Sequence, residues 1–148
     1  MTADETVAGL PRSMGERISF LLYRNAITAT ALADEMLRDL GLTARAVGIL
    51  TMVVERKPMT QRALGASIGV DRSTMVVLLD ELEGKGYVRR VRHPDDRRAF
   101  MIEPTSTGAS AQKRALELLD TCEERYLAVL SRAERDQLRE LLARLHAR

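Results

Sequence analysis

Tryptophan is absent from this 148-residue chain, and all aromatic residues together make up only 3% of it. So few aromatic platforms argue against binding single-stranded nucleic acid by base stacking. There is one cysteine, Cys122. No intramolecular disulfide can form, and a reduced cytosolic setting is the default. Long hydrophobic runs are also missing. The longest near-apolar stretch, Val47 to Val54, is far too short to span a bilayer. The opening MTADETVAGLPR has early acids and no apolar core, so it does not read as a signal peptide. A soluble, cytoplasmic protein without a membrane partner is expected. No Gly-rich phosphate loop, no Ser-centred turn of the hydrolase type and no histidine in a predicted core can be found, which argues against an enzyme. His93, His146 and Cys122 form no ligand-spaced pair, so neither metal nor cofactor is expected.

What is present is a helical pattern interrupted once. The hydrophobic share of 45% suits one globular domain of ordinary size. Residues 1–12 read as a flexible N-terminus, broken by Gly9 and Pro11. Residues 13–148 read as a single domain. Ile18, Leu21, Leu22, Leu32, Met36 and Leu37 recur at helical spacing and predict a helix from about Ser13 to Leu40, ended by Gly41. Thr43 caps a second helix to about Glu55, burying Val47, Leu50 and Val54, and Pro58 stops it. Thr60 caps a short third helix to about Ser67, burying Ala63, Leu64 and Ile68. Gly69 turns the chain, and Asp71 caps a fourth helix to about Lys85. Tyr87 to Arg92 and Ala99 to Glu103 read as two strands of a hairpin. Thr105 starts a long helix to about Leu130, with Ala115, Leu118, Leu119, Cys122, Tyr126 and Val129 on its apolar stripe. Ser131 and Glu134 form a capping box for a last helix, striped by Leu138, Leu141, Leu142 and Leu145.

Two helices at a tight turn, followed by a basic hairpin, are an arrangement for DNA. One helix enters a major groove, and the hairpin reaches the adjacent minor groove. The net charge of only +2 does not by itself point to nucleic acid. Its distribution is more telling. Between Arg89 and Arg98 there are five arginines (Arg89, Arg90, Arg92, Arg97, Arg98) against Asp95 and Asp96. Such a patch suits a surface that neutralises phosphates.

The helix from Arg72 can be phased by its apolar stripe. Met75, Leu78, Leu79 and Leu82 must face the core. The opposite side then holds Ser73, Val77 and Asp80, flanked by Val76 and Arg72. Two valines on a solvent-facing surface gain a partner in thymine methyl groups. Ser73 and Thr74 lie at the helix start, where side chains reach base edges and free amides favour a phosphate. Asp80 and Glu81 should point away from phosphates. Arg62, on the preceding helix, is placed to clamp backbone phosphate. The expected double-stranded DNA interface is therefore Thr60, Arg62, Arg72, Ser73, Thr74, Val76, Val77, Arg89, Arg90, Arg97 and Arg98, with Asp96 supporting the wing.

The fold class expected is mainly α with a small β-hairpin wing. A winged helix-turn-helix over about residues 43–104 is flanked by dimerisation helices over about 13–40 and 105–148. The terminal helices are too apolar to be satisfied by so small a centre, and a homodimer pools them economically.

With these residues placed, the chain resembles the MarR family of bacterial transcription regulators. The wing carries the resemblance: Asp96-Arg97-Arg98, then Ala99 to Glu103, Pro104-Thr105 and Gly108. Asp71-Arg72-Ser73-Thr74 and Leu82-Glu83-Gly84-Lys85-Gly86-Tyr87-Val88 add to it. Two positions depart from the pattern. Pro104 replaces the usual Leu, predicting an early end or bend in the second wing strand. Val76-Val77 stand where many members carry Thr-Arg. The resemblance implies that Arg98 inserts into the minor groove and that Asp96 fixes it or braces the wing through an ion pair. It also implies a ligand-responsive repressor and a small aromatic or anionic effector. Tyr23, Arg24 and Arg45 are its candidate contacts, although each reads better as a surface or interface residue. Cys122, on an apolar stripe, reads as a buried structural thiol and not a redox trigger. The alternative is a winged helix that binds protein or RNA without reading DNA sequence.

Overall fold

A computed structural model describes residues 11–56, 58–96 and 98–147. The expected flexible N-terminus falls mostly outside the described residues. Within them, Arg12 is already helical, in a short α1 (Arg12–Gly15) that precedes α2 (Ile18–Leu37). The single helix expected from Ser13 is thus two. The main one ends in a 3-10 turn over Arg38–Leu40, with Gly41 in the left-handed region at φ 62°. α3 (Ala44–Glu55) starts where Thr43 accepts from the Ala46 amide. α4 (Gln61–Ile68) is capped by Thr60, and Gly69 at φ 68° makes the turn into α5 (Arg72–Gly84). β2 (Val88–Arg92) and β3 (Phe100–Pro104) form the wing hairpin. α6 (Ser106–Tyr126) and α7 (Arg132–His146) follow. The Ser131–Glu134 capping box is formed in both directions.

The hairpin is not alone. Met59–Thr60 form a two-residue strand, β1, antiparallel to β3, so the sheet order is β1-β3-β2. Met59 sits opposite Ile102 and Thr60 opposite Met101, while Val88 sits opposite Pro104. Pro104 therefore does not shorten β3. β1 reaches only as far as Ile102, so β3 has a single neighbour at Pro104, where a missing amide is tolerated.

The core lies where these elements converge. Leu37, Ile49, Leu50, Leu64, Met75, Leu79, Leu82 and Ile102 are all nearly or fully buried, joined by Val47, Val53, Val88 and Ala115. At the end of α3, Val53 is buried and the expected Val54 is half-buried against the core. Two expected core positions differ. Ala63 is exposed, because α4 turns Leu64 and Gly65 inward instead. Val129 is 90% exposed, since α6 ends at Tyr126 and leaves it in the α6–α7 connection. Cys122 is buried on α6.

The two ends of the chain are covered less well. α7 contains no buried residue, and on α2 only Ala33 and Leu37 are buried. Ile18, Leu22, Tyr23, Ile27 and Leu32 stand exposed on α2, as do Leu141, Leu142 and Leu145 on α7. No described helix is long and apolar enough to cross a membrane.

Candidate nucleic-acid interface

α5 presents the face that its phase requires. Met75, Leu78, Leu79 and Leu82 are buried, which turns Arg72, Ser73, Val76 and Val77 outward. Val77 is 56% exposed and leaves an apolar surface open on this face. At the helix start, Asp71 accepts from the Ser73 hydroxyl at 2.5 Å, the Thr74 hydroxyl at 2.6 Å and the Thr74 amide at 3.0 Å. The side-chain bonds from Ser73 and Thr74 hold the Asp71 carboxyl well below the usual carboxylate range. Each hydroxyl has one proton and two lone pairs. With both protons committed to Asp71, Ser73 and Thr74 offer acceptors to whatever lies over the helix start. Asp71, Arg72, Ser73 and Val76 line an open depression there.

Arg62 is exposed on α4. Thr60 joins two elements. Its hydroxyl accepts from the Ala63 amide at 3.2 Å, and its backbone lies in β1.

The wing arginines divide into distinct groups. Arg89 donates to Glu103 Oε2 through Nε at 3.0 Å and Nη2 at 2.7 Å. Arg90 turns back onto α5. Its Nη2 donates to Asp80 Oδ1 at 2.6 Å, its Nη1 to Glu83 Oε2, and its backbone amide to Glu83 Oε1 at 3.0 Å. Burial works against the Arg90 charge, but the hydrogen bonds to Asp80 and Glu83 outweigh it and hold the guanidinium above its ordinary range. Arg92 lies over the Phe100 ring, 5.9 Å from its centroid. Arg98 is exposed, and its guanidinium has no partner among the described residues. Arg97 lies outside the described residues.

Asp96 supports the wing through the backbone. Its Oδ1 accepts from the Arg98 amide at 2.9 Å, and its carbonyl accepts from the Ala99 amide at 3.1 Å. Among the described residues, Asp96 thus holds Arg98 by its backbone, and no ion pair joins it to the Arg98 guanidinium. Asp is favoured at such turns for this local bonding. His93 closes the hairpin from the other side. Its amide donates to the Ala99 carbonyl, and its Nδ1 accepts from the Asp95 amide at 3.1 Å.

The wing is anchored at its base as well. Thr105 donates its amide to the Tyr87 carbonyl at 3.1 Å and its hydroxyl to the Gly86 carbonyl at 2.6 Å. Gly108 packs directly on the Tyr87 backbone. The Gly108 signal was visible in sequence, but its reason is this close approach.

The candidate effector contacts lie on two helices. Tyr23 and Arg24 are exposed on α2 and Arg45 is exposed at the start of α3. No hydrogen bond or ring contact of the described residues joins Arg45 to either. Sequence reasoning missed a different polar pair, buried Gln112 donating to Glu55 at 2.9 Å across α6 and α3. Among the described residues, no cluster of His, Cys, Asp and Glu could hold a metal ion.

Comparison with known proteins agrees with this geometry. Residues 42–100, the winged module, match the MarR family. A proposed transcriptional regulatory protein for the hcr operon of Thauera aromatica is 33% identical over 135 residues, covering 90% of this chain and 81% of the relative. The transcriptional repressor CouR, solved on a 23-mer DNA duplex, superposes with a TM-score of 0.86 at 28% identity, covering 93% of this chain and 96% of its own. CouR from Rhodococcus jostii RHA1 bound to p-coumaroyl-CoA superposes at 0.77, also at 28% identity, covering 89% and 93%. These relatives are regulators of transcription and not enzymes. The chain is a transcriptional regulator and belongs to the MarR family.

Proposed function

We propose that this regulator is a homodimeric repressor that reads an inverted repeat in double-stranded DNA and responds to a small molecule. The observation that carries the reading is the outward face of α5, Arg72 to Val77, lying beside a wing whose Arg98 is unpaired among the described residues. α5 enters the major groove. Val76 and Val77 meet thymine methyl groups, and Ser73 and Thr74 accept from base amino groups. Arg98 enters the flanking minor groove, whose negative potential is strongest where it is narrow and A·T-rich. Thr60, Arg62, Arg72 and Arg97 contact phosphate, and Arg89 reaches it from the wing edge.

The uncovered apolar stripes of α2 and α7 support the dimer. Burying them against a second copy places two recognition helices on one side, with half-sites roughly one helical turn apart. The solved complexes of CouR with DNA and with p-coumaroyl-CoA support repression relieved by an aromatic or anionic effector. Such a ligand acts by binding better to the arrangement that does not fit DNA. A cytoplasmic location follows from that role.

Selection from a random duplex pool at near-physiological salt tests the reading, with the oligomeric state measured by light scattering. An inverted repeat bound by a dimer is expected. A folded dimer that recovers no consensus would instead favour a winged helix that contacts protein or RNA.

A further inference from the structure

The sequence alone places Arg90 among the residues that touch DNA. The geometry points elsewhere: we propose that Arg90 is a positioning residue, which clamps the wing to the recognition helix through Asp80 and Glu83 and makes no phosphate contact. This inference rests on the DNA-binding reading above.

Three observations carry it. First, the Arg90 side chain is only 21% exposed, whereas those of Arg89 and its pair are 65% and 28% exposed. Second, both ends of Arg90 are engaged. The guanidinium spans Asp80 and Glu83, and the backbone amide donates to the second Glu83 oxygen. Third, Asp80 and Glu83 lie three residues apart on α5, on one side of the helix. Their carboxylates converge on a single point of β2. A lone exposed ion pair contributes little, but this bridge has two carboxylates, a part-buried cation and a backbone bond.

The consequence is geometric. α5 and the wing must meet two grooves at once, and the contact made second benefits from the first only when their spacing is held. Arg90 holds it at the hairpin's first strand, opposite Ile102 of β3. The remainder of the hairpin then projects Arg98 from a fixed base. It also accounts for two of the three acids on a DNA-reading helix: Asp80 and Glu83 are paired with Arg90.

The test uses the full-length protein and the duplex recovered by selection, with circular dichroism and melting to confirm folding. Removing Asp80 and Glu83 together, as Asp80→Ala/Glu83→Ala, takes two negative charges away from a DNA-binding face. Charge alone predicts tighter binding. The clamp predicts binding roughly tenfold weaker, the scale of one lost arginine groove contact, with hydroxyl-radical protection lost at the flanking minor groove. Arg90→Gln should weaken binding similarly, and should add almost nothing in an Arg98→Ala background, because both changes lose the same wing contact. A residue that itself sits on phosphate would instead weaken binding by the same factor with or without Arg98. Tighter or equal binding by the double variant, or an undiminished Arg90→Gln effect in the Arg98→Ala background, overturns the clamp while leaving the DNA reading intact. A parent protein that binds no duplex overturns both.

Discussion

Gly108→Ala is expected to destabilise the protein because there is no room for a methyl group beside Tyr87. A Cβ built on Gly108 would lie 1.9 Å from the Tyr87 carbonyl oxygen, 2.7 Å from its carbon and 3.0 Å from its Cα, against 3.4 Å for ordinary contact. The shortest approach must open by about 1.5 Å. The obstacle is backbone held from several directions. The Tyr87 carbonyl accepts from the Thr105 amide, the Tyr87 amide donates to the Leu82 carbonyl, and its hydroxyl donates to the Leu40 carbonyl. Overpacking of this kind costs about 1–3 kcal/mol, and a rigid backbone neighbour puts it at the upper end. Replacing glycine by alanine in a helix returns up to about 1 kcal/mol. A net loss of about 2 kcal/mol remains, or a fall in Tm of about 4–8 °C for a chain of this size. Thermal melts at one fixed concentration read it, since any self-association would make Tm depend on concentration. Gly84→Ala is the matched control. Nothing lies within 4 Å of its Cβ position, so its Tm should hold or rise. A Gly108→Ala protein as stable as the parent would refute the packing argument. It would also remove the reason for a glycine where α6 meets the wing.

Further outcomes follow from the interface. Arg98→Ala should weaken specific binding by about 1–3 kcal/mol; unchanged affinity in a gel-shift titration would take the wing out of the mechanism. Val77→Ala should relax preference for thymine at one half-site position, and a repeated selection returning the same motif would refute the methyl contact. Asp71→Asn should lower Tm at pH 7. The hydrogen bonds from Ser73 and Thr74 depress the Asp71 pKa on folding, so its contribution is present above the unfolded value of about 4 and fades as pH falls below it. The gap to the parent should therefore close toward acid; a gap constant with pH would contradict this.

Much of the architecture was legible in the sequence because it is local. Thr43, Thr60, Asp71, Thr105 and Ser131 each stand at a helix start, and each accepts from an amide of the first turn. The stripe Met75, Leu78, Leu79, Leu82 set the rotation of α5 before any neighbour was known. Gly41 and Gly69 marked turns that need positive φ. The misread ends have local causes too. α1 and α2 share one apolar periodicity across a break at Glu16 and Arg17. β1 is two residues long, too short to show a period.

The candidate site was legible in outline only. Sequence gives the charge of an arginine but not its partner. The run from Arg89 to Arg98 therefore reads as one basic patch, whereas Arg89 is paired with Glu103, Arg90 with Asp80 and Glu83, and Arg98 with none among the described residues. The same holds for Asp96, whose bond is to the Arg98 amide and not to its guanidinium. Caps, turns and helix phase are decided by residues within about one turn of each other, so the chain itself determines them. Which charges cancel, and how closely Gly108 meets Tyr87, depend on segments that only folding brings together; those were decided by the tertiary structure.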